Sequence, residues 1–346
     1  MKTPEQLRAL SISRSLFGET TLKVAIRRLG FVQADPIRSP ARAQDLILRH
    51  RVKGYRVGDL DRRYPSLDLE EDVLYAYGFL PRRVWQLLHP RKMKGISSIE
   101  GKVLEAVRAG GVTHPRELTS RFGKRRVTNA WGGHSQATTR ALEALRAGGR
   151  LRVARREHGI RLYEAMPSWQ PLSPDDRLPE LIMVVANILA PVTERTLYAN
   201  IARYRFLGDT RATVGALVTA GRLRTETIDG LSYIWPSAKT VPAEIPRRVR
   251  FLAPFDPLVW DRRRFEHLWG WSYRFEAYTP AAKRLRGYYA MPLLWGDAVV
   301  GWANARVRGP DLDVEVGFVK KRPRDSNFGA ELEAEIERLR TFLRLE

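Results

Sequence analysis

Ala147-Gly148-Gly149-Arg150-Leu151-Arg152 and Ala220-Gly221-Arg222-Leu223-Arg224 are two versions of one junction. Each ends a helical pattern at glycine and opens a strand-like run. Before the first, Ile99–Ala109 is helical and stops at Gly110-Gly111, and Thr113 can cap a short helix with Pro115 in its first turn. Ser135 can cap the next helix, Gln136–Ala147. Leu151–Arg155 and Ile160–Ala165 then read as strands around His158-Gly159. The second segment repeats the order. Leu178–Leu189 is helical, Thr193 and Asp209 cap two further helices, and Arg222–Thr227 and Leu231–Trp235 flank the hairpin turn Asp229-Gly230. Three helices followed by a two-stranded wing, found twice, predict an α+β chain built on tandem winged-helix units.

The flanks extend this plan. Pro4–Phe17 and Thr21–Leu29 are helical, with Gly30 as a C-cap, and Asp59–Arg63 and Pro81–Leu88 are shorter helices. Pro236–Pro246 reads as a linker. Beyond it, Tyr288–Leu294, Ala298–Arg306 and Val314–Phe318 are strands, and Gly329–Leu345 is an amphipathic helix with Leu332, Ile336, Leu339 and Phe342 on one face. The expected units are 1–95, helical and winged-helix-like; 96–167 and 168–240, winged helices; and 241–346, β-rich with a terminal helix.

Charge narrows the partner. The 346 residues hold 60 Lys and Arg against 38 Asp and Glu, a formal +22. Up to Pro167 there are 33 cations and 16 anions, so +17 of the excess lies there. A regional excess of this size points to a polyanion, nucleic acid first. Arg150, Arg152, Arg155 and Arg156 follow the third helix of the first unit and are expected to contact DNA. The nearly neutral second unit is expected to be structural. There is no cysteine, so disulfides and thiolate chemistry are excluded. The six histidines lack metal-ligand spacing, and no dinucleotide or P-loop fingerprint is present. No metal or cofactor is therefore expected. No signal peptide or membrane span is read, and the expectation is a cytoplasmic monomer.

Phe31-Val32-Gln33-Ala34-Asp35-Pro36-Ile37-Arg38-Ser39-Pro40 is the one run with chemical potential. In an extended segment Gln33 and Asp35 share a side, and Pro36 favours that conformation. The pair could hold a water, with Asp35 as base or electrostatic stabiliser and Gln33 as donor and acceptor. Asp before Pro can equally cap a turn.

Gln33-Ala34-Asp35 with Arg38-Ser39-Pro40 resembles the Gln-hydrophobic-Asp motif of the bacterial AlkZ/YcaQ DNA glycosylases. The run Phe251–Arg264, with Pro254-Phe255-Asp256-Pro257, is similar to a second signature of that family. So is Tyr273–Arg284, leading into Gly287–Leu294. The resemblance implies tandem winged helices around a basic channel. It implies excision of N7-alkylated purines from double-stranded DNA, including unhooking of interstrand crosslinks, with Gln33 and Asp35 as the catalytic pair. The chain departs from the family pattern at Tyr75-Ala76-Tyr77-Gly78-Phe79, where YcaQ-type members carry Trp-Ala-His-Glu.

Other groups carry two readings. Arg38 holds a phosphate beside the lesion, or pairs with Asp35 or Asp45. Tyr278, Lys283 and Arg284 interleave aromatic and basic groups as in a nucleic-acid channel, or form a packed ring with solvated charges. Asp256, Trp260 and Asp261 are expected to be structural, Trp260 as core. Trp131, in a Gly-containing insertion, enters DNA or packs internally. A non-catalytic winged-helix regulator or architectural factor is the alternative function, and it has no need of the Gln33/Asp35 pair.

Overall fold

The computed structural model describes residues 3–91, 95–128, 132–237 and 244–345. Trp131 and most of the linker reading at Pro236–Pro246 lie outside the described residues. The N-terminal helices form where their caps place them. Thr3 accepts from the Gln6 amide to start Pro4–Ser15. Thr21 starts Leu22–Leu29, and Gly30 closes it in the left-handed region at φ 77°. The chain then enters a two-residue strand, Val32–Gln33. That strand pairs with Tyr77–Pro81, which pairs in turn with Leu69–Val73. Sequence patterning did not anticipate this antiparallel sheet.

The repeated plan is present as an order of elements. Ser98–Gly110, Pro115–Phe122 and Ala137–Ala147 precede the ribbon Leu151–Glu157/Ile160–Ala165. Pro174–Ile188, Glu194–Ile201 and Thr210–Thr219 precede the ribbon Leu223–Ile228/Leu231–Pro236. Both ribbons turn on two consecutive positive-φ residues, His158 and Gly159 (48° and 82°) and Asp229 and Gly230 (48° and 77°). This is the backbone a tight two-residue hairpin requires.

Two caps differ from expectation. His114, not Thr113, caps Pro115–Phe122, while Thr113 exchanges backbone hydrogen bonds with Tyr163 at 2.8 and 3.0 Å. Ser135 lies inside a short strand, His134–Gln136, paired with Arg126–Thr128, so Gln136 holds the cap position.

The C-terminal part is a four-stranded antiparallel sheet in the order Val249–Phe251, Met291–Trp295, Ala298–Arg308 and Asp311–Phe318. The helix Ser326–Leu343 packs on it. Leu339 and Phe342 are buried as read, and Leu332 and Ile336 are partly so. One continuous hydrophobic cluster joins Val32 and Leu48 to Leu104, Leu142 and Val153, and to Phe251, Met291 and Leu339. The Gln33-Ala34-Asp35 segment thus lies where N-terminal, first-repeat and C-terminal residues share a core.

Buried charge fastens the ends of the chain together. Arg51 and Asp256 are both fully buried and make a two-pronged ion pair at 2.8 and 2.9 Å. Arg51 also donates to Ser15 O, Ser15 Oγ and Ile47 O. Asp261 accepts from Thr193 N and Oγ1, both at 2.9 Å, and from Thr196 Oγ1. Asp256 and Asp261 are therefore held in structural roles, the roles expected for them. Among the described residues no helix is long and apolar enough to cross a membrane.

Candidate active site

Gln33 and Asp35 are placed by backbone pairing. Val32 faces Phe79 and Gln33 faces Gly78 across the sheet, and Ala34 N donates to Tyr77 O at 2.9 Å. A Cβ at position 78 would overlap the Val32 carbonyl oxygen and the Phe31 ring. Glycine is therefore what allows the two strands to meet here. Pro36 ends the strand. One Asp35 oxygen, Oδ1, accepts from Ile37 N at 2.9 Å, and the Asp35 amide faces Gln44 Oε1 at 3.4 Å. The turn-capping role thus holds for one oxygen of this carboxylate. No guanidinium among the described residues is within ion-pair distance of Asp35.

Asp35 opens on a cleft of about 500 Å³ whose other walls include Arg42, Tyr77, Arg156, Arg161 and Tyr163. Partial burial raises the Asp35 pKa above the ordinary carboxylate value, against the lowering effect of its bond from Ile37. The carboxylate is therefore more basic than a solvated one, beside cations that it does not pair with. Close by, the hydroxyl of Tyr289 is buried and has no hydrogen-bond partner among the described residues. Burial, with the Asp35 charge second, keeps that phenol protonated.

Gln33 is arranged differently from expectation. Its Oε1 accepts from Trp260 Nε1 at 2.9 Å, and it is not among the residues lining the cleft. An indole can only donate, so the amide orientation is settled and its NH2 remains as a donor. Trp260 is accordingly not plain core: it is half-buried and positions Gln33. Tyr75 packs edge-on against Trp260 (4.8 Å between centroids) and against Phe31 (4.9 Å). Trp260→Phe keeps that packing and deletes the bond. It is expected to lower the turnover of this site by five- to tenfold, about 1 kcal/mol, with DNA affinity unchanged; single-turnover rates and binding titrations check it.

Three residues of the cleft wall, Tyr77, Arg156 and Arg161, belong to a buried ionic network that sequence patterning missed. Glu70, Glu71 and Asp72 are consecutive and all buried. Burial raises Glu71, but Arg156 and Arg161 outweigh it and hold its carboxyl below the usual range. Arg156 donates to Glu71 Oε1 at 3.0 Å, Arg161 lies 3.2 Å from Oε2, and the Tyr77 hydroxyl also donates to Glu71. Tyr77 carries the Arg161 and Arg146 guanidinium groups at 4.7 and 5.3 Å from its ring centre. Asp72 meets His89 at 2.7 Å and Arg91 at 3.2 Å.

The cations read as DNA contacts separate into two groups. Arg152 is bound to Glu70 at 2.9 Å and Glu164 at 2.7 Å, and Arg156 to Glu71. Both therefore brace the ribbon against the strand Leu69–Val73, and Arg156 also lines the cleft. Arg38 and Arg150 are exposed, and Arg38 makes neither of its two alternative pairs. Arg155 is exposed and pairs with Glu157 at 2.8 Å. Tyr278 and Lys283 are exposed. Arg284 is half-buried, donating to Thr279 O at 2.8 Å.

A family model described as DNA glycosylase AlkZ-like matches residues 26–342. The chain belongs to the AlkZ-like DNA glycosylase family. The match takes in the sheet that carries Gln33 and Asp35, both repeats and the C-terminal sheet. Membership makes DNA the substrate and N-glycosidic bond cleavage in DNA repair the activity class.

Proposed function

We propose that this chain is a monofunctional glycosylase of the Gln-x-Asp subgroup that hydrolyses N7-alkylated purines from duplex DNA, interstrand crosslinks included. The observation that carries the reading is Asp35, a partly buried carboxylate with no ion-pair partner, on the wall of a cleft lined by three arginines. N7 alkylation makes the purine cationic, so it departs as a neutral base without a proton from the protein. The C1′–N9 bond breaks, oxocarbenium charge builds at C1′, and the Asp35 carboxylate stabilises it. Water adds to C1′ and gives its proton to Asp35. Gln33, its carbonyl held by Trp260 and its side chain outside the cleft lining, is assigned the lesser part, with its NH2 as a donor toward the water or the sugar once DNA is bound. Among the described residues no lysine lines the cleft, and the reading therefore assigns no amine to imine formation and strand cleavage.

Both helix–helix–helix–ribbon units are taken as winged helices, with the first closer to DNA. Arg38, Arg150, Arg155 and Lys283 are assigned to phosphates, and Tyr278 to the duplex. A monomer suffices, because both site residues come from one chain.

A duplex with a single N7-methylguanine tests the reading. Incubation is expected to release the base and leave a site that breaks only after alkali. Strand breaks without alkali would overturn the monofunctional assignment. Intact DNA from this and from a crosslinked duplex, with tight binding to one DNA sequence, would instead mark a regulator.

A further inference from the structure

Two large apolar side chains stand far out from the surface. Tyr278 is 80% and Leu285 78% exposed, well beyond Phe206, the next of the described large hydrophobics, at 48%. Both belong to the stretch between Trp271 and Ala290, which has no strand of its own. Such exposure on a floppy loop would say little. This loop is tied internally instead. The buried Glu276 carboxylate accepts from Leu285 N at 3.0 Å and Arg286 N at 2.8 Å, while the Glu276 carbonyl accepts from Thr279 N. Arg284 donates to Thr279 O and lies over Tyr288, 5.1 Å from its ring centre. Asn304 Nδ2 donates to Arg286 O at 2.6 Å. The backbone that presents Tyr278 and Leu285 is thus pre-organised, so their exposure is part of the fold.

Position and charge say what they meet. The Tyr278 ring packs edge-on to Phe275, and Phe275 packs edge-on to Tyr289, the residue whose hydroxyl senses Asp35. Tyr278 therefore stands on a short chain of rings leading to the candidate base, and Leu285 is held in the same loop by Glu276. Between 271 and 290 the charged residues are Arg274, Lys283, Arg284, Arg286 and Glu276, and the single carboxylate is consumed inside the loop. Apolar tips within a cationic collar match the inside of a base stack bordered by phosphates.

We propose that Tyr278 and Leu285 form a wedge that enters the base stack of duplex DNA beside the nucleotide presented to Asp35. A ring and a branched aliphatic side chain are the shapes that part and refill a base step. The damaged nucleotide then leaves the stack at a lower cost, or a crosslinked step opens without full extrusion. The proposal rests on the glycosylase reading for its location.

The test uses the full chain and its Tyr278→Ala/Leu285→Ala variant, which removes mostly exposed atoms and should melt close to the wild type. At saturating protein, a duplex with 2-aminopurine next to a tetrahydrofuran abasic analogue is expected to brighten with the wild type. With the variant it should stay at the free-duplex level. Excision of N7-methylguanine from paired duplex is expected to fall about tenfold or more, and excision of the same base from a single strand to change little. Brightening equal for the two proteins, or equal loss on duplex and single strand, overturns the wedge. Brightening by the wild type alone, with no excision by either protein, upholds the wedge and rejects the glycosylase reading.

Discussion

Asp35→Asn is expected to cut excision of N7-methylguanine about a thousandfold or more, while duplex binding stays close to the wild-type level. The amide keeps the shape of the side chain and can still accept from Ile37 N. It loses the negative charge that faces C1′ and the basicity that takes the proton from water. Near-wild-type turnover by this variant would remove Asp35 from the chemistry. The wild-type rate should also fall on acidification through the Asp35 pKa, which burial lifts above the ordinary 3.8. The folded state holds that proton more tightly than the unfolded chain. Ionised Asp35 therefore costs stability at neutral pH, a cost that fades as the pH drops through the folded-state value. Asp35→Asn should accordingly be at least as stable as the wild type at pH 7, and a thermal melt run beside the kinetics shows whether lost activity is lost folding.

Asp256→Ala is expected to destabilise the chain by about 3–5 kcal/mol, measured as the free energy of urea unfolding. It would strand the fully buried Arg51 guanidinium without its counter-ion. Removing both charges, as Arg51→Met/Asp256→Leu, should recover only part of the loss. Arg51 also satisfies Ser15 O and Ile47 O, and those acceptors would be left without this donor. A single variant no less stable than the wild type would show that the pair contributes nothing net. This bond joins the segment after Asp35 to the Pro254-Phe255-Asp256-Pro257 signature, so the signature acts on the site through the fold. Its neighbour Trp260 then reaches Gln33 directly.

Local patterning was enough for the elements that are locally determined. The two ribbons were legible because His158-Gly159 and Asp229-Gly230 tolerate the positive φ that a tight hairpin requires. Asp209 holds the cap position read for it and its side chain satisfies two amides, while Thr193 holds its cap position without a side-chain hydrogen bond to the amides of its helix. The strand Leu69–Val73 was not legible, because the consecutive acids Glu70, Glu71 and Asp72 give it no apolar alternation. They are buried only because Arg152, Arg156, Arg161, Arg146, Arg91 and His89 converge on them from distant positions. The ion pairs of Arg152 and Arg156 were hidden for the same reason. Asp35 could be named from its setting before Pro36. Its company of Arg42, Tyr77, Arg161 and Tyr289 could not, since only the fold assembles those residues. The indole bond from Trp260 spans 227 positions and has no local signal.

The close strand contact at Gly78 also bears on how such a site could have changed over time. A lineage passing between this Gly and the Glu of the Trp-Ala-His-Glu run could not do so by one substitution at an otherwise constant site. The new Cβ would meet a backbone oxygen, which has no alternative rotamer, and a buried ring. A side chain at this position therefore requires the Phe31 ring to move and the pairing at Val32 to shift, and the neighbouring Gln33 shares that strand.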